Sequence, residues 1–331
     1  MILVTGGTGL VGSHLLVQLI KQGETVQAIY RSEKSIEKTR KVFQLTATEK
    51  DFKKIKWVKA ELLDYFTISD LMEGTDFVYH AAAKVSFAAK DAEDLMASNI
   101  DGTANLVNIA LEKGVKKFCY VSSVAALGSY PNGNATDEEA LWQQNKNTSN
   151  YSVSKYYAEN EVWRASEEGL NVVIVNPATI IGFGDWNESS SSIIKKVYDG
   201  FPYYTIGSNG FIGVNDVVKA MLLLMNSDII NERYILVSEN LKFKTLFSLI
   251  AKGFNLKEPT KFVSKKWAKL LVIAESIRTL FTGKNPVITT ESLDTAYRTK
   301  NYSNEKITSE LNFQFQPMKM VIEETCELYL K

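Results

Sequence analysis

Cysteine is scarce in this chain: there are two in 331 residues, Cys119 and Cys326, far apart in sequence. A redox pair, a thiolate metal site or a disulfide framework needs thiols at close or repeated spacing. Each cysteine therefore reads as a small apolar core residue, and the compartment as a reducing one. Excess charge is lacking too. With 38 basic side chains against 38 acidic ones, no electrostatic footprint for nucleic acid or an anionic membrane is visible. No apolar run reaches the ~20 residues of a membrane span, and a first strand beginning at residue 2 leaves no room for a signal peptide. The expectation is a cytoplasmic protein with no nucleic-acid partner, no membrane span and no metal. An apolar fraction of 45% is that of an ordinary globular chain, long enough for two lobes around a large core.

What is present begins at once. Residues 1 to 12 read MILVTGGTGLVG, in which a short apolar strand (Ile2, Leu3, Val4) runs into Gly6, Gly9 and Gly12 and then into a helical pattern, Ser13 to Lys21. Strand, glycine turn and helix in that order let backbone N–H groups and a helix N-terminus face a dinucleotide pyrophosphate. Gly6 permits a turn with positive φ, Gly9 a close phosphate, and Gly12 close packing of helix on strand, with Thr8, Leu10 and Val11 beside them. The glycine spacing is G-x-x-G-x-x-G, and a Gly-rich β-to-α turn without a ligand is the plain alternative.

The second strand, Glu24 to Tyr30, ends at Arg31-Ser32. At that tip an acidic residue would accept from the ribose 2′-OH of NAD, whereas an arginine suits the 2′-phosphate of NADP. The tip carries no carboxylate, so the expectation is NADP(H) rather than NAD, with Arg31 and Ser32 on the phosphate; otherwise Arg31 is a surface residue. Residues 33–56 are lysine-rich but interleaved with acids and read as a solvated helix and loop. Strands follow at Trp57 to Ala60, Asp76 to Tyr79 and Lys117 to Val121, with a long helical pattern from Ala92 to Lys113. The small residues Ala81, Ala82 and Ala83 after the fourth strand leave room for a ligand to cross, and His80 reads as structural. A loop of about two dozen residues, Gly128 to Asn150, has the length of an active-site cover.

The next helix opens Tyr151-Ser152-Val153-Ser154-Lys155. Tyr and Lys four apart share a helix face, and a nearby ammonium favours a phenolate that otherwise forms near pH ~10. With a serine hydroxyl at the tip of strand five to hold a carbonyl oxygen, the trio makes a proton relay. Alone, Y-x-x-x-K is a weak signal; its place after strand five gives it weight.

TGGTGLVG, N-I-x-G at Asn99 to Gly102, VSS at Val121 to Ser123, YSVSK and NPATIIGFG at Asn176 to Gly184 occur in the order and spacing of the extended short-chain dehydrogenase/reductases. The chain resembles that family along its whole length, most of all its dihydroflavonol-4-reductase and 3β-hydroxysteroid dehydrogenase-like branch, within the broad NAD-dependent epimerase/dehydratase group. The resemblance implies Tyr151 as general acid/base and Lys155 as the residue that lowers its pKa and holds the nicotinamide ribose. It further implies Ser123, rather than Ser122, as the carbonyl-orienting hydroxyl, and Asn99 as support for Lys155. Pro177 to Ile180 would hold the carboxamide, and Glu61 and Leu62 the adenine, with Glu61 standing where the family more often has Asp. Gly213 and Asn215 depart from the family's F-x-H-V-D-D-V pattern, while Asp216 keeps it.

The expected architecture is α/β, a Rossmann doubly wound parallel sheet of about seven strands. It would comprise residues 1–178 plus about 211–238, with a return strand near Arg233 to Val237. A smaller, mainly helical substrate-binding lobe would take about 179–210 plus 239–331. Trp186, Phe201, Tyr203, Tyr204 and the apolar helical stretch Phe262 to Phe281 read as lobe core, or as a greasy mouth for substrate. The expected activity is NADP-dependent interconversion of a ketone or aldehyde and its alcohol, on a small and fairly apolar molecule. A nucleotide-sugar epimerase and a non-catalytic NAD(P)-binding sensor or scaffold remain as alternatives. Val124-Ala125 after Ser123 lack the Asp-Glu pair of the family's dehydratases. A homodimer through two helices is the family's habit.

Overall fold

The computed structural model describes residues 1–86, 88–130, 133–146, 148–188, 190–270, 293 and 296–331. Its strands are β1 (Ile2–Thr5), β2 (Val26–Tyr30), β3 (Lys56–Lys59), β4 (Phe77–His80), β5 (Lys117–Val121), β6 (Val172–Pro177), β7 (Thr179–Ile181), β8 (Tyr203–Tyr204), β9 (Ser208–Gly213), β10 (Glu232–Leu236), β11 (Glu239–Lys242) and β12 (Lys261–Phe262). Seven of them form one parallel sheet in the order β10-β6-β5-β4-β1-β2-β3. This is the doubly wound order, reversing between β1 and β4, and ligands of such sheets lie beyond the strand ends at that reversal.

Both faces are covered because alternate strand residues point to opposite sides. Ile2 and Val4 of β1, Cys119 of β5 and Val173 of β6 enter one core cluster, with α1 (Leu10–Lys21), α2 (Glu33–Thr46) and α9 (Val214–Met225). Leu3, Phe118, Tyr120 and Ile174 enter the other, with α4 (Tyr65–Met72), α6 (Gly102–Glu112) and α7 (Asn150–Glu167). The lysine-rich stretch is less solvated than its composition suggests. In α2 and the short α3 (Glu49–Phe52), Ile36, Thr39, Val42, Phe43 and Phe52 are buried, so one face is core, while Glu33, Lys34, Glu37, Lys41 and Gln44 face water. The long helical pattern also differs in detail. It runs as α5 (Ala92–Met96), a π-helical turn over Ala97–Asp101, then α6, and the widened turn carries Asn99.

A second body packs around β9, the middle strand of β11-β9-β7. Its core joins Ile181 and Phe211 to side chains of α8 (Ser191–Tyr198), α10 (Phe243–Gly253) and a C-terminal helix, α12 (Met318–Leu330), where Cys326 is buried. Residues 239–331 do not all belong to this body. Ile307 of α11 (Glu305–Leu311) and Phe313 lie in the first cluster of the large sheet, and Tyr234 of β10 bonds Glu310 at 2.7 Å. Trp186 stacks among Tyr198, Phe254 and Tyr329 inside the lobe. Phe262, Trp267 and Leu270 are exposed; the rest of the apolar stretch, residues 271–281, lies outside the described residues. Among the described residues no helix is long and apolar enough to cross a membrane.

Candidate active site

The cleft opens at the β1/β4 reversal, where Thr5 pairs with His80. Gly6 has φ 71°, and a Cβ there would stand 2.5 Å from the Ala81 carbonyl carbon. A Cβ on Gly12 would meet the Gly6 oxygen at 2.1 Å, so Gly12 lets the helix close on the turn itself rather than on the strand. Only glycine fits either place. The helix α1 starts from Gly9, with no side chain capping its first N–H groups and no acid in its first turn. These free donors and the positive helix end suit a pyrophosphate. Thr8, Gly9, Leu10 and Val11 line the cleft, whereas Gly6 and Gly12 form the turn behind them.

Arg31, Ala81, Ala83, Ser123, Tyr151, Lys155, Pro177 and Ile180 line the same cleft. Ser122 and Ser123 point apart. Ser122 Oγ donates to the buried Glu159 at 2.5 Å, while Ser123, at the start of a 3₁₀ turn, accepts the Ala125 N–H and hydrogen-bonds the Tyr151 hydroxyl. Burial pushes the Tyr151 phenol above its ordinary value, and the Ser123 bond works against that rise. The expected lowering by Lys155 is not found. The Lys155 ammonium lies over the Tyr120 ring and donates to the Tyr120 hydroxyl at 2.6 Å and the Val121 carbonyl at 3.0 Å. Burial draws Lys155 down to about 7, opposed by the negative charge of Glu159.

Asn99 makes no direct hydrogen bond to Lys155 among the described residues. Its amide clamps Lys84, accepting that N–H at 2.7 Å and donating to that C=O at 3.0 Å, and donates to Ser154 Oγ at 3.0 Å. It thus ties the chain after β4 to the neighbour of Lys155. His80 is held neutral in a buried chain. Thr103 Oγ1 donates to Asn99 C=O, so it accepts from His80 Nε2, which leaves Nδ1 to accept from Thr5. Burial lowers its pKa to about 3.

Ser32 takes the N-cap position of α2 with no side-chain capping bond, and neither it nor Glu61, Leu62 or Ala82 lines the cleft. Leu62 packs on Gly102, where a Cβ would meet it at 3.0 Å, and its carbonyl takes the Asn105 amide at 2.6 Å. Arg31 is exposed and makes no hydrogen bond among the described residues; its charge acts on Asp94. Sequence reasoning missed Lys38, which also lines the cleft. From α2 it bridges to Asp185 at 3.3 Å and to Glu188, fastening the α2 wall to the loop after β7. It missed Tyr120 and Glu159 too, although the spacing Tyr151, Lys155, Glu159 at four-residue steps was there to be read. The loop over the cleft is tacked down: Thr136 N–H to Asn301 at 2.9 Å, the Glu138 carboxylate to Ile235 N–H at 2.7 Å, and Trp142 stacked on Tyr156 at 4.1 Å.

The sequence model of the NAD dependent epimerase/dehydratase family matches residues 2–236. The chain belongs to this family. Members bind NAD(P), and the chain is an NAD(P)-dependent enzyme of hydroxyl and carbonyl groups. It is 29% identical to a putative dihydroflavonol 4-reductase of Synechocystis sp., covering 96% of this chain and 91% of that protein. With sterol demethylase protein B of Methylococcus capsulatus it shares 31% identity over 72% of this chain and 70% of the other. Among solved structures, the protein gox2253 is similar with a TM-score of 0.80 at 28% identity, covering 100% of this chain and 98% of that one.

Proposed function

We propose that the protein is an NADPH-dependent reductase of a small, fairly apolar ketone or aldehyde. The observation that carries this is the hydrogen bond between Tyr151 and Ser123, in one cleft with Lys155 and the glycine turn. Bound NADPH would supply hydride to the carbonyl carbon. A carbonyl oxygen seated between Ser123 Oγ and the Tyr151 hydroxyl accepts from both, and Tyr151 delivers its proton as charge builds on that oxygen. A phenol held protonated by burial is the right acid for reduction. Lys155 holds the ribose and balances the charge that Tyr151 is left with. Arg31, which makes no hydrogen bond among the described residues, fits the 2′-phosphate.

Phe201, Tyr203, Tyr204, Phe243 and Phe247 line the far end of the cleft, which favours an apolar substrate. The reductase named among the relatives supports the reaction, and the sterol-processing one supports the substrate's character. In an NADPH-oxidation screen of ketones and aldehydes, Tyr151→Phe should lower turnover on the order of 10²–10⁴-fold. Its NADPH affinity should be unchanged; turnover at the wild-type rate would refute the proposal.

A further inference from the structure

A buried ionic cluster centred on Glu159 lies behind the cleft wall, with Ser122 as its member on the lining. Glu159 of α7 is 2% exposed, and its carboxylate gathers four donors. Ser122 Oγ donates at 2.5 Å, Asn176 Nδ2 at 2.8 Å, Arg233 at 3.1 Å and Trp163 Nε1 at 3.3 Å. These donors come from the ends of β5 and β6, from β10 and from α7 itself. Asn176 Nδ2 also donates to the Ser123 carbonyl at 3.1 Å, and Arg233 reaches on to the Glu138 carbonyl in the loop over the cleft.

A carboxylate so deeply buried is tolerated only when fully bonded, and an apolar residue of similar size would often be at least as stable. Stability alone therefore gives a weak reason for a charge here. Its position gives a better one. Lys155 lies one turn earlier on the same helix, 1% exposed, and among the described residues its acceptors are a hydroxyl and a carbonyl. The titratable groups facing it are Tyr151 and Glu159 from α7, Tyr120 from β5 and His80 from β4; of these, only Glu159 brings opposite charge. Arg233 and, behind it, Glu138 face Glu159 from the far side.

We propose that Glu159 is a positioning residue. It fixes the Ser123 backbone through Ser122 and Asn176 and keeps Lys155 charged for the cofactor ribose, while Arg233 moderates its field. This rests on the cofactor reading above. Burial already brings Lys155 to about 7, so small changes of field alter its charge within the working range. Lys155 must be charged to hold the ribose, so binding weakens as pH rises through its pKa. Removing the Glu159 anion lowers that pKa and moves the alkaline limb to lower pH. Removing the Arg233 cation leaves Glu159 less compensated and moves the limb up.

The test is NADPH titration by fluorescence from pH 6 to 9.5 on wild type, Glu159→Gln and Arg233→Met. At pH 8.5, Glu159→Gln should raise Kd about three- to tenfold over wild type, and Arg233→Met should lower it about twofold, which correspond to shifts of up to about one pH unit. Shifts of opposite sign support the proposal, since a purely structural role would weaken both variants without moving the limb. A limb unmoved, or moved the same way in both, overturns it. If Glu159→Gln does not fold, Arg233→Met decides alone, because its side chain is 25% exposed. Wild type that binds no NADPH at any pH overturns the cofactor reading instead.

Discussion

Arg31 follows the last residue of β2, with no hydrogen bond among the described residues, on the wall of the cleft that begins at the glycine turn. Under the proposed NADPH reading, its guanidinium discriminates between cofactors that differ by one phosphate. Arg31→Ala should raise KM for NADPH about ten- to a hundredfold, as loss of a charge-assisted contact of 1.5–3 kcal/mol does, and leave KM for NADH nearly unchanged. Steady-state kinetics with both cofactors would show it, and equal effects on the two would sink the assignment. That Arg31 lines the cleft was legible, because a strand tip in a dinucleotide fold has a fixed place. The partners of Lys155 were not. Tyr120 reaches it across the sheet face and Ser123 meets Tyr151 across two elements, and no local pattern records a contact between segments some thirty residues apart.

At the scale of elements, six of the seven parallel strands were legible to within two residues, as apolar runs such as KFCYV in β5, buried from Lys117 to Tyr120. The strand β6 was not placed, although its run VVIV is buried throughout. Two helices were harder. Lysines hid the apolar stripe of α2, and the π turn at Ala97–Asp101 leaves no mark in a pattern that repeats at the helical period on either side. The glycine turn is the stiffest junction between elements. Gly12→Ala would drive a carbon to 2.1 Å from the Gly6 oxygen, a backbone atom that cannot swing away. It should cost about 3 kcal/mol, the upper end for overpacking, and weaken NADPH binding at least about tenfold. Urea unfolding and fluorescence titration would measure the two effects, and a variant as stable as wild type would refute the close approach.

Over the whole molecule, the two histidines decide how the fold meets acid. His14 and His80 are buried and held below their ordinary value by burial, His80 at about 3. The unfolded chain takes up those protons first, near pH 6.5, so their contribution is whole above that pH. Both contributions are lost as pH falls, that of His80 at about 1.4 kcal/mol per pH unit down to about pH 3. Urea unfolding at pH 7.5 and 5 should show the loss, and His80→Gln should shrink the difference between the two. An unchanged difference would mean that His80 already protonates in the folded state. The division between sheet and lobe was only partly legible, since α11 returns to the sheet from deep within the C-terminal region, a long-range contact with no sequence signature.

The bridge from Lys38 to Asp185 and Glu188 spans the two walls beside the glycine turn, and its charges are in part exposed to solvent. Mobile ions weaken such a bridge and act little on the neutral hydroxyls of the half-buried Tyr151 and Ser123. Rising salinity should therefore loosen the seam between α2 and the loop after β7 while leaving those two hydroxyls as they stand.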